Sequence, residues 1–352
     1  MTHDETTTVT AIPTRWVGPI RVSGNAVTGE ISVPLATYET PLWPSVGRGA
    51  KVSRLVEGGI AVTILGERMT RSVLFTAPDA ASAHTAALAI HEREAELHEA
   101  VAGTSRFAKL VEVHPEIVGN LLFVRFALQT GDASGHNMVT RAADALMDRI
   151  LSWGLPVEYG SISGNYCSDK KATAVNGILG RGRSAVADIL IPHEIVERVL
   201  HTSAERIVDL VVRKNLVGST IAGALRSANA HYANMLLAFY LATGQDAANI
   251  VEGSQGITYA ETRPEGLYFS CTLPHLIVGT VGNGKHLAHT QEALERLGCE
   301  AEREPGANAR RLAALIAASV LCGELSLLAA QTNPGELMAA HVAFERTGTE
   351  QS

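Results

Sequence analysis

Cysteine is scarce in this chain. Cys167, Cys271, Cys299 and Cys322 are the only four, and none forms a C-x-x-C pair. With no recognisable signal peptide ahead of them, a disulfide-stapled secreted domain is excluded, and a reducing, cytoplasmic setting is expected. Long apolar runs are lacking as well. A stretch such as 236–242 falls far short of the roughly 20 residues that cross a bilayer, so no membrane partner is expected. Positive charge is not in excess either. The formal net charge is −7, which disfavours a general nucleic-acid or anionic-membrane binder. His286 and His289 are three apart, but no cysteine or carboxylate cluster completes a metal site, and none is expected.

What is present suffices for a large buried core. Hydrophobic residues make up 46% of the 352 positions, and the length suggests two domains. Residues 1–16 begin polar and Thr-rich and read as a flexible tail. Residues 17–35 alternate apolar and polar positions and read as extended chain. From 72 to 161 the pattern is β-α-β-β-α-β, with strands at 72–76, 107–113, 120–128 and 157–162 and helices at 78–102 and 137–153. That is the order of a ferredoxin-like sandwich. The segments on either side, 17–71 and 162–335, read as one larger domain into which this unit is inserted. Residues 192–216 are amphipathic, 219–243 are nearly uncharged and read as a buried central helix, and 307–331 form another long apolar helix. Residues 257–277 read as two strands around Pro264-Glu-Gly266. The fold class expected is therefore α+β: a large helix-rich domain around a long central helix, with an inserted ferredoxin-like small domain.

Three segments carry chemistry. Gly131-Asp-Ala-Ser-Gly-His-Asn-Met138 joins a strand to a helix, where small residues and free N–H groups suit a phosphate, although taken alone the segment reads first as an ordinary glycine-rich turn. Ser163-Gly-Asn-Tyr-Cys-Ser-Asp-Lys-Lys171 sets an acid and two lysines among small and amide residues. A lysine there could stabilise an oxyanion, or the segment could be a solvated loop. Lys214-Asn215 and Gly244-Gln-Asp246 flank the expected central helix.

Taken together, the segments are less ambiguous. Asp169-Lys-Lys171, Asn176, Gly180-Arg-Gly-Arg-Ser184, Lys214-Asn-Leu-Val-Gly218, Asn229-Ala-His231, Asn234, Gly244-Gln-Asp246, Gly279-Thr-Val-Gly-Asn-Gly284 and Gly323-Glu-Leu-Ser326 occur in that order. The set resembles the signature of the 3-hydroxy-3-methylglutaryl-CoA reductases, and it is closer to the NADPH-using class of eukaryotes and archaea. The likeness runs from about residue 17 to 346. It implies a soluble oxidoreductase that takes an acyl-CoA to mevalonate and CoA with two NADPH. It also implies a large domain for the acyl-CoA, a small domain (72–161) for the cofactor, a mobile C-terminal segment (336–352), and a homodimer or higher oligomer whose active sites are shared between chains.

By position, the resemblance assigns catalysis to Glu39, Lys170, Asp246 and His341. Arg71, Ser163, Asn165, Asp169, Lys171, Lys214 and Asn234 fall on acyl-group contacts, and Ser45 and Arg48 near the CoA phosphates. Ser105, Arg106, Asp132, Gly135, Asn137, Met138, Gly282 and Gly284 fall on the cofactor side. The residue types suit the roles. Lys170 can hold an alkoxide, Asp246 beside Lys170 and Glu39 can tune both, His341 can protonate a thiolate, and a protonated Glu39 can donate the proton when the aldehyde is reduced. Three positions depart from the family: Tyr38 in Thr37-Tyr-Glu-Thr40, Gly47, and Gly177 after Asn176. They leave open a related four-electron reductase of another acyl-CoA or of a carrier-bound acyl group. A non-catalytic acyl-CoA-binding protein is disfavoured by retention of the four catalytic groups.

Overall fold

In a computed structural model, residues 10–339 and Val342 are described. The architecture mixes helices with a mixed sheet, and one strand organises both halves. The alternating N-terminal stretch becomes an antiparallel pair, β1 (Thr14–Gly24) and β2 (Gly29–Ala36). β3 (Ile60–Thr76) is 17 residues long and pairs on different partners along its length. The remaining strands are β4 (Lys109–Val118), β5 (Leu121–Gln129), β6 (Glu158–Ser161), β7 (Gly182–Pro192), β8 (Ser227–Ala228), β9 (Gly256–Arg263) and β10 (Gly266–Leu276). The first half of β3 lies in the order β2-β1-β3-β7-β10-β9-β8. Its second half, from Met69, pairs antiparallel with β5 and β6, with β4 outside β5.

Two apolar cores follow this division. One gathers Val22, Leu35, Ile60, Phe239, Phe269 and Leu315, and the other Val73, Phe75, Ile90, Phe126, Leu146 and Ile150. β3 runs unbroken through position 71/72. The larger core rests on the sheet as much as on helices, so "helix-rich" understates its strands.

Several expected elements differ. Residues 14–16, read as tail, are strand, because Pro13 O accepts from Thr37 N and continues the ladder. The helix expected over 78–102 is two, Ala80–Glu92 and Glu94–Ala102. They part at Arg93, whose guanidinium lies 5.1 Å over the Trp153 ring. The amphipathic stretch 192–216 breaks at His201, which is in the left-handed region, and restarts at Ser203, whose hydroxyl caps Arg206 N. Beyond Leu210 it winds wider, as a π-helix over Val211–Gly218.

The central helix expected over 219–243 is confined to Tyr232–Ala242. Asn229 competes with helix formation upstream. Its Nδ2 donates to Ser254 O and Gly256 O, and its Oδ1 accepts from Tyr232 N.

The long helix of the fold is Ala307–Gln331. It is long and apolar enough to cross a bilayer, against the expectation that no apolar run approaches that length, but 94% of its most apolar window is buried inside the fold. Gly49 explains its close packing, since a Cβ there would stand 2.3 Å from Cys322 O. Glu324 is buried on this helix and accepts from Ala230 N, His231 N, Asn215 Nδ2 and Thr258 Oγ1, which compensates its desolvation.

Candidate active site

The Asp169-Lys-Lys171 segment follows β6 in a turn of unusual backbone. Asn165, Ser168 and Lys170 all have positive φ, at 60°, 53° and 54°. Each costs roughly 1 kcal/mol for a residue with a side chain, so surrounding bonds must impose the shape. Those bonds are visible. Lys170 N donates to Glu252 Oε1 at 3.1 Å, and Asn176 Nδ2 donates to Ser168 O. Arg181, 1% exposed, donates to Asp169 Oδ1 at 2.5 Å and to Thr70 O at 2.8 Å, and lies 3.5 Å from Glu252. Asn249 bridges Glu252 and Asp169. A buried carboxylate–guanidinium pair thus forms the base of the turn.

The lysine side chain leaves this base and meets Asp246. Nζ and Oδ2 are 2.8 Å apart. The hydrogen bond to Asp246 holds the Lys170 ammonium above its ordinary pKa. Burial opposes ionisation of Asp246, but the bonds from Lys170 and from Ala248 N keep it below the usual range. Burial raises the Glu252 carboxyl. The pair therefore presents a firmly charged ammonium to a cleft of about 560 Å³.

The opposite wall is the segment around Gly135. Gly135 (φ 100°) opens the helix His136–Ser152 without a side-chain cap, and a Cβ on it would stand 2.6 Å from Thr130 Cγ2. Gly135, Asn137, Met138, Arg71 and Gly282 line the cleft with Asp169, Lys170 and Asp246. A backbone bridge between Ala133 and Val281 joins the two glycine-rich loops. Lys285 also lines this cleft. It donates to Gly244 O, and burial lowers its pKa to about 8.

A second, smaller cleft of about 240 Å³ holds Glu39, Ser45, Arg48 and His231. Glu39 is exposed, and its Oε2 accepts from Asn234 Nδ2 at 2.9 Å. Arg48 donates to Ser326 Oγ and pairs with Glu336 at 2.7 Å. Tyr38 turns outward, 67% exposed, and its hydroxyl donates to Ala11 O.

The two clefts stand at opposite ends of Tyr232–Ala242. Asn234 is in its first turn, Asp246 lies just past its end, and 11 residues span about 16 Å. Within one chain, Asp246 is therefore beside Lys170, and Glu39 lines the other cleft.

The other expected site residues scatter. Asp132 does not line the cleft. Its oxygens accept from Gly306 N and Ala309 N and anchor the start of Ala307–Gln331, because a helix N-terminus attracts a carboxylate. Arg106 is exposed and stacks on the Phe107 ring at 4.6 Å, with Ser105 capping Phe107 N, in a turn outside both clefts. Gly284 backs onto Gly244, behind the cleft lining. Ser163, Asn165 and Lys171 lie in or beside the turn that carries Lys170, with Lys171 Nζ bonded to Asp169 O. Lys214 lies near Glu324, and burial lowers its pKa. His341 is outside the described residues.

Sequence reasoning missed His136, Lys285, Asn249 and Glu252 and gave Arg181 no role of its own. Arg181 stood inside a quoted motif. Glu252, a lone acid in the apolar run Ala247-Ala-Asn-Ile-Val251, was the available signal for a buried carboxylate.

Comparison with known proteins agrees with this order of motifs. The family described as hydroxymethylglutaryl-coenzyme A reductase matches residues 4–346. A 3-hydroxy-3-methylglutaryl-coenzyme A reductase of Pyrococcus abyssi is 48% identical over 326 residues, covering 92% of this chain and 79% of that protein. The Haloferax volcanii protein of the same name is 42% identical, covering 95% and 82%. A class II reductase from Streptococcus pneumoniae, solved bound to NADPH in open conformations, shares the fold. The TM-score is 0.73 at 21% identity, covering 94% of this chain and 87% of that one.

Proposed function

The chain belongs to the hydroxymethylglutaryl-coenzyme A reductase family, and on that premise we propose that it reduces 3-hydroxy-3-methylglutaryl-CoA to mevalonate and CoA. The observation that carries this reading is the Lys170–Asp246 pair, an ammonium held charged at the floor of a cleft. NADPH fits the opposite wall, where uncapped N–H groups at Gly135–Asn137, the Gly282 loop and Lys285 line the cleft, and two molecules bound in turn would each supply one hydride.

The residues then divide the work. Lys170 holds the oxyanion that forms when hydride reaches the thioester carbonyl, giving a hemithioacetal. Breakage of its C–S bond leaves an aldehyde and a thiolate, and His341 delivers the proton to the sulfur. Lys170 again holds the oxygen during the second reduction, and Glu39 supplies the proton that completes the alcohol. Arg71, Ser163, Asn165, Asp169, Lys171, Lys214 and Asn234 are proposed to contact the acyl group. Arg48 exchanges its Glu336 partner for a CoA phosphate beside Ser45. Arg106 takes the 2′-phosphate of the cofactor, with Ser105. The core around Phe75 and Phe126, residues 72–161, is read as a ferredoxin-like cofactor domain. Its strand order β4-β5-β3-β6 supports that. Residues 17–71 and 162–335 are read as the acyl-CoA domain.

Glu39 and Lys170 line separate clefts of one chain, which supports a shared site, in which a second copy brings its Glu39 to this chain's Lys170. Leu216, Val217 and Ile221, 56%, 51% and 84% exposed, offer an apolar surface beside Lys214 for such a homodimer. A cytoplasmic location accords with four free, buried cysteines.

The test is purified protein with NADPH and a panel of acyl thioesters, with products identified by mass. Mevalonate and CoA in equal amounts, at two NADPH per mevalonate, are expected. Turnover of a different acyl thioester alone would replace the substrate. Mixing Glu39→Gln with Lys170→Ala tests the shared site. Activity appears in the mixture and in neither variant alone if sites form between chains.

A further inference from the structure

One group in the larger cleft has no part in the scheme above. His136 opens the cofactor-side helix, yet its ring faces the catalytic turn. Nε2 lies 3.7 Å from Asp169 Oδ1, and Nδ1 lies 3.4 Å from Ser134 Oγ. Nε2 is buried and lacks a hydrogen-bond partner among the described residues. In the tautomer with the proton on Nε2, Nδ1 accepts from the Ser134 hydroxyl and Nε2–H is aimed at Asp169. The 3.7 Å gap exceeds a hydrogen bond, and contacts of this kind commonly tighten only when a cleft fills.

We propose that His136 is a positioning residue: its ring spans the cleft and donates Nε2–H to Asp169 when the ligands are bound, coupling the cofactor wall to the turn that carries Lys170. This rests on the reductase reading of the site. Asp169 already accepts from Arg181, and the backbone between Asp169 and Lys170 is held in the left-handed region. A second donor from the cofactor side would hold the carboxylate, and hence Lys170 Nζ, in place only when that wall is correctly set. The neutral ring suffices for this donation. Lys170, Arg181, Arg71 and Lys285 already face it, against Asp169 and Asp246, and burial lowers its pKa. Protonation would add a cation that competes with Lys170 for Asp246 and with Arg181 for Asp169.

The experiment compares wild type, His136→Ala and His136→Gln for kcat, both KM values and the pH profile of kcat. Gln places an amide N–H near the Nε2 position but cannot titrate. His136→Ala is expected to lower kcat by at least roughly tenfold, the scale of one hydrogen bond to a charged group, with both KM values within about threefold. His136→Gln is expected to recover most of that loss at neutral pH and to lack the acid limb that wild type is expected to show below the ordinary histidine pKa. Wild-type kcat in the Ala variant, a Gln variant as slow as Ala, or an acid limb unchanged in Gln would each overturn the proposal. If the Ala variant does not fold, the acid limb of the Gln variant decides alone. Absence of thioester reduction by wild type would instead count against the reductase reading.

Discussion

The two ends of the helix Tyr232–Ala242 are built differently. At its C-terminal end, Lys170 stands on a turn with three positive-φ side-chain residues, pinned by Arg181 and Glu252, which are 1% and 0% exposed. At its N-terminal end, Glu39 is exposed and held by one hydrogen bond from Asn234, and Arg48 is occupied by Glu336 from the C-terminal segment. The contrast tracks what each group must do. A residue that stabilises charge as it develops has to be oriented in advance, and only a buried, over-determined frame does that. A group that meets a ligand or another chain can be held loosely, because its final partners arrive with the complex.

The sharpest way to break this comparison is to remove the frame. Glu252→Ala leaves Lys170 N unsatisfied and the buried Arg181 with one carboxylate fewer. A loss of about 3–5 kcal/mol in urea unfolding is expected, together with reduced turnover. Unchanged stability would mean that the turn holds itself. Lys170→Ala, by contrast, is expected to keep the unfolding midpoint while turnover drops at least roughly a hundredfold. Near-normal turnover would remove Lys170 from the chemistry.

The frame also carries a pH signature. His275 on β10 is fully buried and lies near Arg226 and Arg181, and burial lowers its pKa to about 4. The unfolded chain takes up this proton near 6.5 and the folded chain only near 4. Stability is therefore complete above 6.5, falls as pH drops through that window, and has lost about 3 kcal/mol below it, at 1.36 kcal/mol per pH unit. His275→Gln is expected to flatten the urea midpoint between pH 6.5 and 4, and an equally steep dependence in that variant would assign the effect elsewhere. The smallest effect belongs to the loose end. Asn234→Ala removes one exposed bond to Glu39, and a drop in turnover of no more than about tenfold is expected. A loss as large as that of Lys170→Ala would erase the distinction between the two ends.

Much of this was readable in advance, but unevenly. The β-α-β-β-α-β order of 72–161, the hairpin around Pro264-Glu-Gly266 and the helix 307–331 follow from periodicity and turn residues, which act over a few positions. The 219–243 helix failed because Asn229 finds carbonyls at Ser254 and Gly256, partners that no local window contains. Asp132 was assigned to the cofactor for the same kind of reason. Its motif was visible, whereas the helix start it anchors lies more than 170 residues further along the chain.

Residue type and order by themselves determined the chemistry on offer: a lysine between an acid and another lysine, an aspartate after Gly244-Gln, and glycines where a ligand approaches. These identities are local and survive any change of packing. Only the tertiary structure decided which of them meet. Lys170 Nζ reaches Asp246 because a strained turn and a helix end converge on the same buried Glu252–Arg181 pair. Glu39 lines a different cleft because a helix of 11 residues, about 16 Å long, lies between the two ends. Distance between side chains is set by long-range burial, and linear spacing does not encode it.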